Sequence, residues 1–144
     1  MVRLRAATTA ADLEDRVTRD DVQRWLDAYV EAWRTYDRRQ IGDLFADDVS
    51  YAYQPYREPT RGRDALVAEW LEEPDDPASW EASYEPYAVD GDRAVAVGVS
   101  RYLEGGKLAR LYYNVWLLRF DRDGRCSEFV EYWREHPQDA LPAD

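Results

Sequence analysis

The stretch from Leu108 to Trp133 constrains this chain most. It reads LARLYYNVWLLRF, then DRDG, then RCSEFVEYW: two runs rich in aromatic and β-branched residues around a short Asp/Gly turn, the pattern of a β-hairpin. Successive strand side chains point to opposite sides of a sheet. One face of the first strand therefore carries Tyr112, Asn114, Trp116, Leu118 and Phe120, and the other Leu111, Tyr113, Val115, Leu117 and Arg119. In the second strand Phe129, Glu131 and Trp133 share a face, opposite Glu128, Val130, Tyr132 and Arg134. Both faces are largely apolar. Such a sheet must be covered twice, by helices on one side and by a loop or a second subunit on the other.

Asn114 and Glu131 are the exceptions, each a polar group between bulky apolar neighbours. A buried unpaired carboxylate is costly, so an inward Glu131 must be paired, protonated or used. Pairing to Arg101 or Arg110 is the purely structural alternative to a chemical role.

Upstream of the hairpin the pattern changes from strands to helices. Thr18 suits an N-cap, followed by Asp20 and Asp21 and by Val22, Trp25, Leu26, Tyr29, Val30 and Trp33 at helical spacing, which predicts a helix ending near Tyr36 and Asp37. A second helix is expected over Arg38 to Phe45, burying Ile41, Leu44 and Phe45. Val49 to Tyr53 alternates as a strand, and Pro55 and Pro59 keep the next segment irregular. A third helix is expected over Arg63 to Glu72, with Leu66, Val67, Trp70 and Leu71 inward, stopped by an acidic surface loop at residues 73–77. Strands over Ser79 to Val89 and Ala94 to Leu103 lead into the hairpin across Gly-containing turns. Helices first and a meandering antiparallel sheet last is an α+β plan.

At 144 residues the chain is one domain with room for a core or for a core with a pocket cut into it. Residues 1–18 read as an N-terminal arm, 19–136 as the domain and 137–144 as a tail. A net charge of −11 argues against nucleic acid or an anionic membrane surface as partner. One cysteine, Cys126, and one histidine, His136, exclude a zinc site built from those residues and make a Ser or Cys triad dependent on His136. No metal is expected. The N-terminus shows no apolar h-region and no stretch of 18 apolar residues occurs, so the chain is expected to be soluble and cytoplasmic. Six Trp and eleven Tyr suit the lining of a cavity or a subunit interface.

The order of elements, and the segments AYVEAWRTYD, DLFADDVSYAY, TRGRDALVAEWL and YYNVWLLRFDRDGRCSEFVEYW, resemble the nuclear transport factor 2-like superfamily, in particular its SnoaL-like and ketosteroid isomerase-like branch. The likeness covers about residues 20–136. It implies a cone-shaped, curved antiparallel or mixed sheet wrapped by three N-terminal helices, with a ligand pocket at the open end. It also implies a homodimer through the convex sheet face.

Function does not follow from this fold, which hosts isomerases, dehydratases, cyclases, epoxide hydrolases and members without catalysis. In ungapped register the ketosteroid isomerase catalytic aspartate falls on Tyr53, which cannot act as a carboxylate base near neutral pH. That family's oxyanion-stabilising tyrosine falls on Tyr29. The SnoaL-like cyclases carry an acid/base aspartate on the last strand, where DGRCSEFVE offers Glu131 with a longer side chain. Epoxide hydrolases of this fold need a second inward acid, which the sequence does not offer beside Asn114, Tyr53, Arg110 and Glu131.

The resemblance thus implies a SnoaL-like pocket protein that binds a small, mostly apolar molecule without a cofactor. If catalytic, it would use Glu131 to move a proton and Tyr29, Tyr53 and Asn114 as hydrogen-bond donors. Trp33, Trp70, Trp116, Phe129 and Trp133 would form apolar walls. The alternative is a non-catalytic binding or dimerisation module of the same fold.

Overall fold

The computed structural model describes residues 16–143. Helix α1 spans Arg19–Thr35 and α2 Arg38–Asp43; β1 spans Phe45–Ala52 and β2 Thr60–Arg61; α3 spans Arg63–Glu72. A 3₁₀ turn at Pro77–Ser79 leads into β3 (Trp80–Asp90), β4 (Arg93–Glu104), β5 (Lys107–Phe120) and β6 (Cys126–Glu135). The expected N-terminal arm lies mostly outside the described residues. Its end is pinned where the Val17 N–H donates to Gly91 O at 2.9 Å.

Thr18 caps α1 in a reciprocal box, its hydroxyl accepting from Asp21 N at 3.0 Å while Asp21 Oδ2 accepts from Thr18 N at 2.9 Å. This satisfies backbone donors that have no partner inside the helix. The helix ends at Tyr36, whose φ of 50° breaks the helical path. Its buried stripe of Val22, Trp25, Leu26, Tyr29 and Ala32 lies over the concave face of the sheet.

The strands form one six-stranded mixed sheet in the order β2-β1-β6-β5-β4-β3. From β3 to β6 it is the expected antiparallel meander. The first strand then returns to pair parallel with the last. The DRDG turn closes through Asp121, whose carboxylate accepts from Asp123 N and Arg125 N, with Gly124 at φ 77°.

Two boundaries differ from the sequence expectation. The second helix stops at Asp43, and β1 begins at Phe45, four residues before Val49. Ile41, Leu44 and Phe45 are buried as expected, but Phe45 is held as strand by pairing with Cys126, an interaction remote in sequence. Thr60–Arg61, directly after Pro59, adds a short antiparallel edge against Ser50 and Tyr51.

The concave face carries Asn114, Trp116, Leu118, Phe120 and Phe129, all buried. At the bottom of the core Tyr51 stacks on Phe129 at a centroid distance of 4.1 Å, and Trp25 meets Phe120 edge-on at 5.5 Å. The Trp25 indole N–H is satisfied by Leu44 O at 2.9 Å. On the convex face Tyr113, Val115, Leu117 and Tyr132 are exposed. No helix among the described residues is long and apolar enough to cross a membrane.

Candidate functional site

The helices cover the lower part of the concave face and leave a cavity of about 290 Å³ above it, space for roughly ten waters at their liquid density. Five strands and one helix supply its floor. Tyr29 comes from α1, Tyr51 from β1, Tyr84 from β3, Ser100 from β4, Asn114 and Trp116 from β5, and Glu131 from β6.

The Tyr29 and Tyr51 hydroxyls share a hydrogen bond of 2.6 Å, and Asn114 Nδ2 donates to Ser100 Oγ at 3.1 Å. Both pairs follow from burial, because a hydroxyl or amide removed from water needs a partner. Tyr84 stacks on Trp116 at 4.0 Å. That contact depends on Gly98 opposite it on β4. A Cβ there would lie 2.1 Å from Ser83 O and 2.4 Å from the Tyr84 ring.

Glu131 stands across the ladder from Trp116 and opens into this cavity. Burial pushes its carboxyl from 4.5 up to about 7, since a low-dielectric surrounding disfavours the ionised form. Only Trp116 opposes this. Its indole N–H closes no hydrogen bond of good geometry, so it acts on the carboxylate as a near, imperfectly aligned dipole. No arginine among the described residues contributes: Arg101 lies against Glu81 at 3.8 Å, and Arg110 donates to the Tyr112 hydroxyl at 3.4 Å. Of the options for an inward carboxylate, pairing to these two arginines is not the one adopted.

Glu131 in turn raises the hydroxyls around it. Burial first, and the Glu131 charge after it, push Tyr29 and Tyr84 up, and Tyr51, Tyr53 and Tyr102 are raised by burial with Glu131 as a further cause. The carboxyl is thus the electrostatic centre of a tyrosine cage drawn from α1, β1, β3 and β4. At the mouth Trp33 donates to Asp75 Oδ2 at 3.0 Å, and the Tyr36 hydroxyl accepts from Asp75 N at 2.9 Å. On the α3 side Glu69 accepts from Thr60 Oγ1 at 2.8 Å and raises the Tyr53 hydroxyl.

Glu131, Tyr29, Tyr53, Asn114, Trp33, Trp70 and Trp116 therefore come together around one cavity. Two expected wall residues do not line it. Phe129 is fully buried beneath the floor, sandwiched near Tyr51 and Tyr29. Trp133 is 43% exposed and packs edge-on against Tyr112, because β6 runs on beyond the part of the face that the helices cover. Tyr51, Tyr84, Ser100, Tyr102, Glu69 and Asp75 were not singled out in the sequence. Strand alternation could have found Tyr51, which shares a face with Tyr53. The acidic loop is exposed, as expected, and also brings Asp75 to the mouth.

Among the described residues no group of three or more His, Cys, Asp or Glu is placed to hold a metal ion. Cys126 is buried, its thiol pushed up by desolvation, and Sγ donates to Glu128 O at 3.1 Å.

This combination of a helix-covered curved sheet and a cavity above its concave face matches the SnoaL-like domain, whose sequence pattern fits residues 26–129. The chain belongs to that family. No curated protein matches it in sequence. Among solved structures it is similar to RV0760c from Mycobacterium tuberculosis, with a TM-score of 0.65 at 15% identity over 84% of this chain and all of that one. A candidate ketosteroid isomerase from Kribbella flavida DSM 17836 gives 0.61 at 20% identity, covering 86% of this chain and 84% of that one. An NTF-2 like protein of unknown function from Burkholderia xenovorans LB400 gives 0.60 at 23% identity, covering 82% and 88%. These likenesses establish the fold, a six-stranded mixed, curved sheet that does not close, with three helices.

Proposed function

We propose that the chain is a pocket protein that binds a small, mostly apolar molecule in the cavity above the sheet, with Glu131 as a proton carrier. The observation that carries this reading is a desolvated carboxyl, pushed up to about 7 with no arginine partner among the described residues, facing a cavity walled by aromatic rings. Such a group gives up and takes back a proton near neutral pH, which suits acid/base work of the isomerase, cyclase or dehydratase type. No cofactor is required for that chemistry. The Kribbella flavida neighbour is described as a candidate ketosteroid isomerase.

A second reading, binding without catalysis, is favoured by the commitment of the other polar groups. The Tyr29 hydroxyl is bonded to Tyr51, and the Asn114 amide to Ser100, so a substrate oxygen would have to compete with existing partners. The exposed Tyr113, Val115, Leu117 and Tyr132 support a homodimer through the convex face.

A carboxyl-detected NMR titration of Glu131, assigned with the Glu131→Gln variant, tests the reading in the presence and absence of hydrophobic ketones and phenols. The expected result is a titration near pH 7 that moves when a compound binds. A titration near 4.5, or one indifferent to every compound that binds, would refute the proton-carrier role. Turnover of an identified compound that is lost in Glu131→Gln separates the catalytic reading from simple binding.

A further inference from the structure

The cavity lining is one-sided in charge. Four carboxylates, Glu69, Glu73, Asp75 and Glu131, border it, and among the described residues no Lys, Arg or His does. Nine of its fifteen lining residues are Tyr or Trp, whose ring faces are the negative side of the aromatic quadrupole. An anion entering here would meet no cation and would face a buried carboxylate. A neutral apolar ligand would use the rings but leave Glu131 desolvated and uncompensated. A positive charge would be served by both. The chain already makes such a contact just outside the cavity: the Arg34 guanidinium lies 4.9 Å from the centroid of Trp80, which stacks on the cavity residue Trp33 at 3.8 Å.

We infer that the ligand of this cavity is an organic cation, an ammonium carrying apolar substituents, with its nitrogen among the tyrosine and tryptophan faces and Glu131 as its counter-charge. This rests on reading the cavity as a ligand pocket and goes further in naming the class of ligand. Asp75 and Glu73 at the mouth add an attractive field along the entry path. The apolar substituents replace water against Trp70, Trp116 and Tyr84.

The test is a charge series on one molecular frame: phenyltrimethylammonium, its neutral isostere tert-butylbenzene, and benzenesulfonate. Binding is followed by quenching of intrinsic tryptophan fluorescence and by calorimetry. At pH 8 the cation is expected to bind at least about tenfold more tightly than tert-butylbenzene, and benzenesulfonate not to bind. Because the cation selects ionised Glu131, its affinity should fall about tenfold from pH 8 to pH 6, with proton release on binding, while that of tert-butylbenzene should not fall.

The groups facing Glu131 are Tyr29, Tyr51, Tyr53, Tyr84 and Tyr102, all raised further above their usual range, together with the Trp116 dipole. Glu69 acts from α3 on Tyr53. His136 is not part of the lining; it is held by Tyr113 and Ala140. In Glu131→Gln the cation should lose both its preference and its pH dependence. Equal or tighter binding of tert-butylbenzene at pH 8 would overturn the inference and leave the pocket reading intact. Failure of all three compounds to bind would overturn both.

Discussion

Replacing Glu131 by Gln should stabilise the unliganded protein, and by an amount that depends on pH. In the unfolded chain this carboxyl ionises near 4.5; in the folded protein burial moves that event to about 7. The interval corresponds to roughly 3 kcal/mol, at about 1.4 kcal/mol per pH unit. The sign follows from proton counting. Below pH 4.5 the carboxyl is protonated in both states and contributes no difference. Between 4.5 and 7 the folded state holds a proton that the unfolded state has released, so stability falls as pH rises. Above 7 both states are ionised and the full loss of roughly 3 kcal/mol persists. Gln has nearly the same shape and never ionises.

The two proteins should therefore unfold together at pH 4, and at pH 8 Glu131→Gln should be more stable by roughly 3 kcal/mol, or about 6 to 12 °C in Tm. Urea and thermal melts of both proteins at half-unit steps from pH 4 to 8 give the difference curve. A difference independent of pH would show that the carboxyl is hydrated in the folded state. A variant less stable than the parent at pH 8 would show that a cation holds the ionised form. Either result would refute the desolvation argument on which the site rests.

Three further outcomes are expected. Gly98→Ala places a methyl 2.1 Å from Ser83 O, a backbone atom that cannot step aside cheaply; it should cost roughly 1–3 kcal/mol in urea melts and disturb the near-ultraviolet circular dichroism of the Tyr84–Trp116 stack. Tyr51→Phe leaves the Tyr29 hydroxyl buried without its partner and should cost about 1–3 kcal/mol. The Tyr29→Phe/Tyr51→Phe double variant should lose less than the sum of the singles, and strict additivity would show the pair to be uncoupled. Leu117→Lys puts a charge in the middle of the exposed convex face and should convert the proposed dimer to monomer in sedimentation equilibrium, with tryptophan-monitored ligand binding retained; an unchanged mass would place the interface elsewhere.

The faces of β5 and β6 were legible in the sequence because alternation has a period of two and depends on nothing remote. So were the N-cap and the buried stripe of α1. What alternation cannot supply is depth. Phe129, Glu131 and Trp133 share one face, yet the first is fully buried, the second lines the cavity, and the third is 43% exposed. The gradient is set by how far the helices extend over the sheet, and no local pattern records that. The early start of β1 was hidden for a related reason. Ile41, Leu44 and Phe45 fit a helical stripe, and only the partner strand, some 80 residues on, makes Phe45 a strand residue. Asp75 does lie in an exposed loop, as the sequence suggests, but its hydrogen bond to Trp33 spans 42 positions and leaves no local trace.

The tyrosine cage also bears on what chemistry Glu131 can support. An oxyanion mechanism needs donors whose acidity approaches that of the developing alcoholate or enolate, and here every tyrosine around the carboxyl is pushed away from ionisation by burial and by Glu131 itself. Negative charge developing on a ligand oxygen beside them would meet the same desolvation, relieved only in so far as Glu131 gives up its own charge on taking the proton. Positive charge would not. A proton moved from a cationic or incipiently cationic ligand to Glu131 spreads no net charge into the cage, and loss of that proton to water at the mouth restores the starting state. The desolvation of the Glu131 carboxyl and the absence of any basic residue from the lining among the described residues point in one direction. On that polarity the proposed ligand site is expected to accept positive charge and to disfavour negative charge, and any chemistry there should follow it.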